Sequence, residues 1–145
     1  MKNLDDSFDL MRFVNAQDRT YESALLELRL KKKRSHWMWY MFPQVEGLGH
    51  SSTSKRYSIK SLEEAKRYMS HPVIGARLIE CTVAVLNIEE RSAKEVFGLP
   101  DNMKLKSSMT LFEYISEPGS VFALVLDKFF CGERCEKTLH LLKEM

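Results

Sequence analysis

The segment KKKRSHWMWYMFPQ, residues 31–44, carries the side chains of this sequence that are best suited to chemistry. His36 lies between a run of four cations and two tryptophans, and Gln44 ends the segment. Arginine beside histidine can hold a phosphate, an imidazole can transfer a proton near neutral pH, and an indole face can stack on a ring. The same run also fits a charged helix end that leads into a core, because Lys and Arg complement a helix C-terminus.

The aromatic part of this segment has no polar face. If residues 35–42 form a helix, Trp37 and Tyr40 lie on one side while Met38 and Phe42 lie on another. A helix that is apolar all round is usually buried. Buried indole N–H and phenol groups need hydrogen-bond partners, so burial alone does not account for the segment.

Nearly all of the remaining sequence predicts helices. Apolar residues recur at helical spacing over residues 7–17 and 20–33, and SLEE (61–64) and SAKE (92–95) have the form of capping boxes. Pro72 and Pro100 suit the starts of further helices, and Gly132 separates the last two. Residues 43–60 are polar and rich in Gly and Ser, which predicts a long loop, and loops of this size tend to be functional or disordered. The expected fold is all-α: a compact, single-domain orthogonal bundle of about seven to eight helices with one long Gly/Ser-rich loop.

Composition limits the possible functions. A chain of 145 residues is one ordinary domain, which we place at residues 1–145. The sequence contains no apolar run long enough to span a membrane, and its start, MKNLDDSFDL, has no export signal, so we expect a cytoplasmic protein. A net charge of +2 disfavours nucleic acid as a partner. Cys81, Cys131 and Cys135 do not have zinc-ligand spacing, and we expect no metal, no cofactor and no disulfide framework.

Four blocks of the sequence resemble one family over nearly the whole chain. They are FDLMRFVNAQ, ALLELRLKKKRSHWMWYMFPQVEGLG, SIKSLEEAKRYMSHPVIGARLIECT and FGLPDNMKLKSSMTLF. The chain is similar to the bacterial and fungal domain of unknown function family 1810 (DUF1810), whose members are sometimes mislabelled calpastatin. This resemblance implies a compact all-helical fold and brings no established activity with it. The chain departs from the family at Lys31, where glycine is usual and where we therefore expect a longer helix, and at Cys135, which replaces a common aspartate.

The resemblance also implies a common site that joins distant parts of the chain. Among the shared polar and aromatic positions are Arg77, Asp101, Lys104 and Ser108, besides those of the 31–44 segment. On this basis we predict His36 and Asp101 as catalytic residues. The predicted ligand-binding residues are Arg34, Trp37, Trp39, Gln44, Arg77, Lys104 and Ser108.

The expected ligand is a nucleotide-like or otherwise phosphorylated small molecule, bound or converted in a pocket around RSHWMW. Each residue also has a structural interpretation: Asp101 as a helix cap, Ser108 as a helix-crossing residue, Arg34 as a C-terminal cap. The alternative function is a helical protein-interaction module without catalysis. A more remote alternative is an ADP-ribose-type N-glycosidase, by analogy with the all-helical NADAR proteins.

Overall fold

Ten helices make up most of residues 6–145, which are the residues that the computed structural model describes. The first residues of the N-terminal sequence discussed above lie outside this range. The helices are α1 (Met11–Asp18), α2 (Tyr21–Arg29), α3 (Met38–Met41), α4 (Ser52–Arg56), α5 (Leu62–Ser70), α6 (Ile74–Leu86), α7 (Ala93–Phe97), α8 (Asp101–Tyr114), α9 (Val121–Phe130) and α10 (Glu136–Lys143). No strand occurs in the described part of the chain, so the predicted all-α class is confirmed.

Local sequence signals set several of the helix starts. The Ser61 hydroxyl accepts from the backbone N–H of Glu64 at 3.0 Å and caps α5. Ser92 and Glu95 form the predicted reciprocal capping box at the start of α7, which ends at Gly98. These starts were predictable because a cap is read within four residues of sequence.

The predicted count of seven to eight helices was too low, and the predicted long loop is structured. The additional elements are α3 and α4, of four and five residues, which are too short to show a helical period. Residues 43–60 contain α4, and an isolated parallel bridge between Val45 and Ile59 closes the segment at its base. Both bridge residues are buried in the core, so the segment is tied to the domain at this point.

The expected extension of α2 beyond Lys31 is wrong. Lys31 has a left-handed backbone with φ 63°, and α2 ends at Arg29. The Lys32 N–H bonds to the Glu27 carbonyl at 3.0 Å and the Lys31 N–H to that of Leu28 at 3.0 Å, which is a Schellman motif. Lys31 thus occupies the position where glycine is normally favoured, and the chain turns there despite the side chain.

Two buried polar residues fix α1 against the rest of the domain. Arg12 pairs with Glu64 at 2.7 Å and donates to four backbone carbonyls, including those of Arg56 and Ser58. The Gln17 amide donates to the Tyr40 carbonyl at 2.8 Å and to the Tyr68 hydroxyl at 2.9 Å. These bonds hold the one-turn helix α3 in place between α1 and α6. Burial of the Tyr68 hydroxyl raises its pKa far above the usual range.

A sharp bend separates α5 from α6. The two helices meet at 84°, and a Cβ on Gly75 would lie 2.2 Å from the Met69 carbonyl oxygen, so only glycine fits this approach. No single helix in residues 6–145 is long and apolar enough to cross a membrane. Only α5 and α6 together meet that requirement, by length and composition alone.

Candidate functional site

The segment before α3 is anchored by one carboxylate, that of Glu27 on α2. Its Oε1 accepts from the backbone N–H groups of Arg34 at 2.8 Å and Ser35 at 3.1 Å, and from the Trp37 indole at 2.8 Å. Its Oε2 accepts from the Ser35 hydroxyl at 2.6 Å. The first part of RSHWMW is therefore folded around Glu27, and Trp37 is directed into the core, where it is fully buried.

The electrostatics of Glu27 agree with this role. Partial burial acts to raise the pKa of the carboxyl group, but the bonds from Ser35, Arg34 and Trp37 together hold it below its ordinary value of 4.5. Glu27 is thus an ionised acceptor for four donors, and these charge-assisted bonds are stronger than neutral ones.

The basic run does not form one exposed cationic patch. Lys33 is nearly buried, with only 7% of its side chain exposed, and its ammonium pairs with Asp101 at 2.9 Å. The same ammonium lies 5.1 Å from the centre of the Trp37 ring and donates to the Ser35 carbonyl. Lys33 and Asp101 thereby join the 31–37 segment to the start of α8.

Asp101 also reaches Lys104, one turn along α8. The Lys104 ammonium is 3.2 Å from the Asp101 carboxylate and 4.4 Å from the centre of the Trp39 ring. Trp39 is only half-buried, in contrast to Trp37. The structure therefore brings together Asp101, Lys104 and Trp39, three of the residues that the sequence predicted for the site.

Gln44 is oriented by its backbone and its side chain. Its carbonyl accepts from the N–H of Ile59 at 2.8 Å, next to the Val45–Ile59 bridge, and its amide Nε2 donates to the Ser107 hydroxyl at 2.5 Å. Ser107 lies on α8, one turn after Lys104. Gln44 is thus placed on the same side of α8 as Trp39.

These residues line an open cleft of about 470 Å³ between the 44–54 segment and helices α8 and α10. Within the 44–54 segment the chain packs closely at Gly49, where a Cβ would lie 2.5 Å from the Ser54 hydroxyl oxygen. The lining residues are Trp39, Gln44, Leu48, Gly49, His50, Ser51, Ser54, Pro100, Met103, Lys104, Ser107, Cys135 and Lys137. The charged residues among them are Lys104 and Lys137, so this lining is basic.

Six of the predicted site residues do not line this cleft. One of them, Asp101, pairs with Lys104 of the lining. His36 and Arg34 are exposed elsewhere, and neither side chain bonds to any group in residues 6–145. Trp37 is committed to Glu27 in the core. Arg77 lies on α6, where it pairs with Asp18 at 2.9 Å and stacks on Tyr21. Ser108 is fully buried on another face of α8.

The separation of the predicted residues has identifiable geometric reasons. Trp37 is the N-cap residue of α3 and Trp39 is its second residue. Side chains two positions apart on a helix diverge by about 200°, so Trp37 and Trp39 face core and cleft respectively. Ser107 and Ser108 are neighbours on a helix, where consecutive side chains diverge by about 100°. Only Ser107 of the two therefore reaches Gln44 and the cleft.

Sequence reasoning missed four residues that matter here: Glu27, His50, Cys135 and Lys137. His50 lies in the Gly/Ser-rich segment, whose composition did suggest function. The imidazole that lines the cleft is that of His50, whereas the sequence predicted that of His36. Cys135 and Lys137 begin α10, far along the chain from the 31–44 segment. The only sequence signal for Glu27 is its position, since it is a carboxylate near the end of an amphipathic helix. The buried donors that it binds follow later in the chain.

The described residues contain no group of three or more His, Cys, Asp or Glu side chains placed to hold a metal ion. The cleft can thus offer charge, an aromatic face, an amide, hydroxyls, an imidazole and a thiol. The fold and the cleft together define a small all-helical domain with a basic, aromatic-walled cleft.

Comparison with known proteins assigns this domain to a family. A model of the family described as "Protein of unknown function (DUF1810)" matches residues 7–142, and the chain belongs to that family. The chain is also similar to the crystal structure of the conserved hypothetical protein Rv1873 from Mycobacterium tuberculosis. The two are 48% identical with a TM-score of 0.93, and the match covers 95% of this chain and 99% of the other. A search of curated proteins found no match.

Proposed function

We propose that the cleft binds a small anionic ligand that carries a ring, such as a nucleotide or a similar phosphorylated compound. The observation that carries this proposal is that Lys104 and Lys137 line the same cleft as the half-buried Trp39, and that no carboxylate of residues 6–145 is in the lining. Lysines bind phosphate as point charges and an indole offers a flat stacking surface. The cleft volume is also in the range of small-molecule sites.

Each lining residue has a distinct part in this binding. The Lys104 ammonium lies over one face of the Trp39 ring, 4.4 Å from its centre, so a ligand ring would stack on the other face with its phosphate reaching around the indole to Lys104. The Gln44 amide donates to Ser107 through Nε2, which leaves its Oε1 to accept from an amino group of the ligand. His50 supplies an imidazole that can donate to a phosphate oxygen.

Binding is better supported than catalysis by the predicted pair His36 and Asp101. Asp101 is held between the ammonium groups of Lys33 and Lys104, at 2.9 and 3.2 Å, and His36 lies outside the cleft. Glycoside cleavage typically uses carboxylates at the reacting carbon. Because the cleft lining contains none, the N-glycosidase alternative has little support.

The test is a calorimetric and thermal-shift titration with AMP, ADP-ribose, ribose 5-phosphate and adenosine. A ligand present at about 100 times its dissociation constant adds roughly 2.7 kcal/mol to the free energy of unfolding. We expect AMP and ADP-ribose to raise the thermal midpoint, ribose 5-phosphate to do so less, and adenosine to do so least. Trp39→Ala should weaken the ring-containing ligands selectively, and Lys104→Met should weaken all phosphorylated ones.

The matched controls are His36→Ala and Arg34→Ala, which remove an imidazole and a guanidinium that both lie outside the cleft. Both should bind like the parent protein. The proposal is overturned if none of the four compounds binds, or if His36→Ala abolishes binding while Lys104→Met leaves it unchanged. Far-ultraviolet circular dichroism of each variant separates loss of binding from loss of fold.

A further inference from the structure

A second cavity, of about 440 Å³, lies between the C-terminal end of α2 and the second half of α6. Its floor is apolar: Leu28 and Ile88 are buried, and Val83 and Ala84 continue the surface outward. It shares no lining residue with the cleft beside α8. Whatever binds here is therefore independent of the proposed function of that cleft.

The mouth of this pocket is polar and carries a net positive charge. Its charged residues are two cations, Arg29 and Lys31, and one acid, Glu80. The Arg29 guanidinium is 4.0 Å from the Glu80 carboxylate, and the two side chains are 64% and 50% exposed, so this contact is long and solvated. The guanidinium donors are consequently free to take a stronger anionic partner.

Lys31 adds an independent reason to regard the mouth as a site. Its φ of 63° is a conformation that is unfavourable for a residue with a side chain and is readily adopted by glycine. The Schellman turn holds it there, and the side chain that is retained at this position lines the pocket. Backbone outliers of this kind are found preferentially at ligand sites.

We infer that the α2–α6 pocket binds a small anionic amphiphile. Its apolar part would lie on Leu28, Val83 and Ile88, and its carboxylate or sulfonate would lie between Arg29 and Lys31. The volume is in the range of small-molecule sites, and the charge at the mouth selects an anion. Glu80, on the opposite side of the mouth, would repel that anion.

The experiment uses two amphiphiles with the same chain and opposite charge, decanoate and decyltrimethylammonium, each below its micellar concentration. Binding is followed by calorimetry and by amide chemical shifts of the intact protein. We expect decanoate to bind at least about tenfold more tightly than its cationic counterpart. The shifts should be confined to the end of α2 and to residues 80–88.

Charge variants provide the second measurement. Arg29→Gln and Lys31→Gly should each weaken decanoate by about two- to fivefold, and Glu80→Gln should strengthen it by a similar factor. Lys94→Gln, on the exposed face of α7, is the matched control and should have no effect. Because Lys31→Gly also removes an unfavourable backbone conformation, a thermal midpoint at or above the parent value shows that weaker binding is not loss of fold.

Three outcomes would overturn the inference. They are equal binding of the two amphiphiles, unchanged decanoate affinity in both Arg29→Gln and Lys31→Gly, and loss of decanoate binding in the cleft variant Lys104→Met. A further arm uses vesicles that contain phosphatidylglycerol. If the protein binds these vesicles but not monomeric decanoate, the basic mouth recognises a membrane surface and the small-molecule assignment is wrong.

Discussion

Replacement of Glu27 should destabilise this protein more than replacement of Glu22, the other carboxylate on α2. Its two oxygens accept four hydrogen bonds, from the Arg34 and Ser35 backbone, the Ser35 hydroxyl and the Trp37 indole, at 2.6–3.1 Å. Two substitutions separate the contributions of shape and charge. Glu27→Ala removes every acceptor, whereas Glu27→Gln keeps a carbonyl oxygen in place of Oε1 and removes the charge.

The magnitude follows from what each donor does when its acceptor is gone. The Trp37 indole is fully buried, and an unsatisfied buried donor costs about 1–3 kcal/mol. The Arg34 and Ser35 donors are closer to solvent and can turn to water, so they add only about 0.5 kcal/mol each. We therefore expect Glu27→Ala to lower the free energy of unfolding by about 2–4 kcal/mol and Glu27→Gln by about 1–2 kcal/mol.

The difference between the parent and Glu27→Gln should also depend on pH. The pKa of Glu27 is lower in the folded protein than its ordinary value of 4.5, so the folded state binds this proton less readily than the unfolded chain. The stabilisation is then fully present above the unfolded pKa and is lost as the pH falls through the folded pKa. The two proteins should approach each other in stability as the pH falls below 4.5 and through the lower pKa of the folded state.

Urea unfolding at several pH values, followed by circular dichroism and tryptophan fluorescence, measures both effects. Ser23→Ala is the matched control, because Ser23 is an exposed residue of α2 whose side chain makes no hydrogen bond within residues 6–145. The reasoning is refuted if Glu27→Ala costs less than about 1 kcal/mol. It is also refuted if the difference between parent and Glu27→Gln grows as the pH falls.

Three further predictions concern Lys31, the N-cap of α10 and the reactivity of the cysteine thiols. Lys31→Gly should raise the free energy of unfolding by about 0.5–1 kcal/mol, because relief of the left-handed backbone exceeds the entropy cost of glycine; urea unfolding tests the sign. Cys135→Asp should add about 1 kcal/mol, since Cys135 is the N-cap of α10 and makes no side-chain capping bond; a lowered thermal midpoint would contradict this. Burial raises the pKa of the Cys81 thiol to about 12, so an aromatic disulfide reagent at neutral pH should modify Cys131 and Cys135 in the native protein and all three cysteines only after unfolding. A cleft ligand should slow modification of Cys135 and leave that of Cys131 unchanged.

The helices were predictable from sequence to the extent that their signals are local. The caps at Ser61 and Ser92 and the glycine at position 98 lie within a few residues of the turns they control. The one-turn helix α4 and the Val45–Ile59 bridge depend instead on contacts between segments, and no short pattern marks them. The same limit applies to Lys31, where the Schellman turn overrides the preference of a lysine for the right-handed helix.

The site was predictable only in part for a related reason. Residue type drew attention to Trp39, Gln44 and Lys104, which do line one cleft, because an indole, an amide and a cation are each suited to ligand contact. Residue type gave equal weight to Trp37, and the structure separates the two indoles through the partner that one of them finds. That partner, Glu27, is ten residues away on the preceding helix, and its role depends on how α2 ends.

The opening segment therefore combines the two interpretations that its sequence allowed. Lys33 and Trp37 are structural, since they bind Asp101 and Glu27 and so fix the turn that leads into α3. Trp39 follows two residues later and is presented to the cleft only because that turn is fixed. Glu27→Gln should therefore weaken the binding of any cleft ligand that stacks on Trp39, although Glu27 itself does not line the cleft, whereas Ser23→Ala should leave binding unchanged. A loss of stability without a loss of ligand affinity would show that the anchor supports the fold alone.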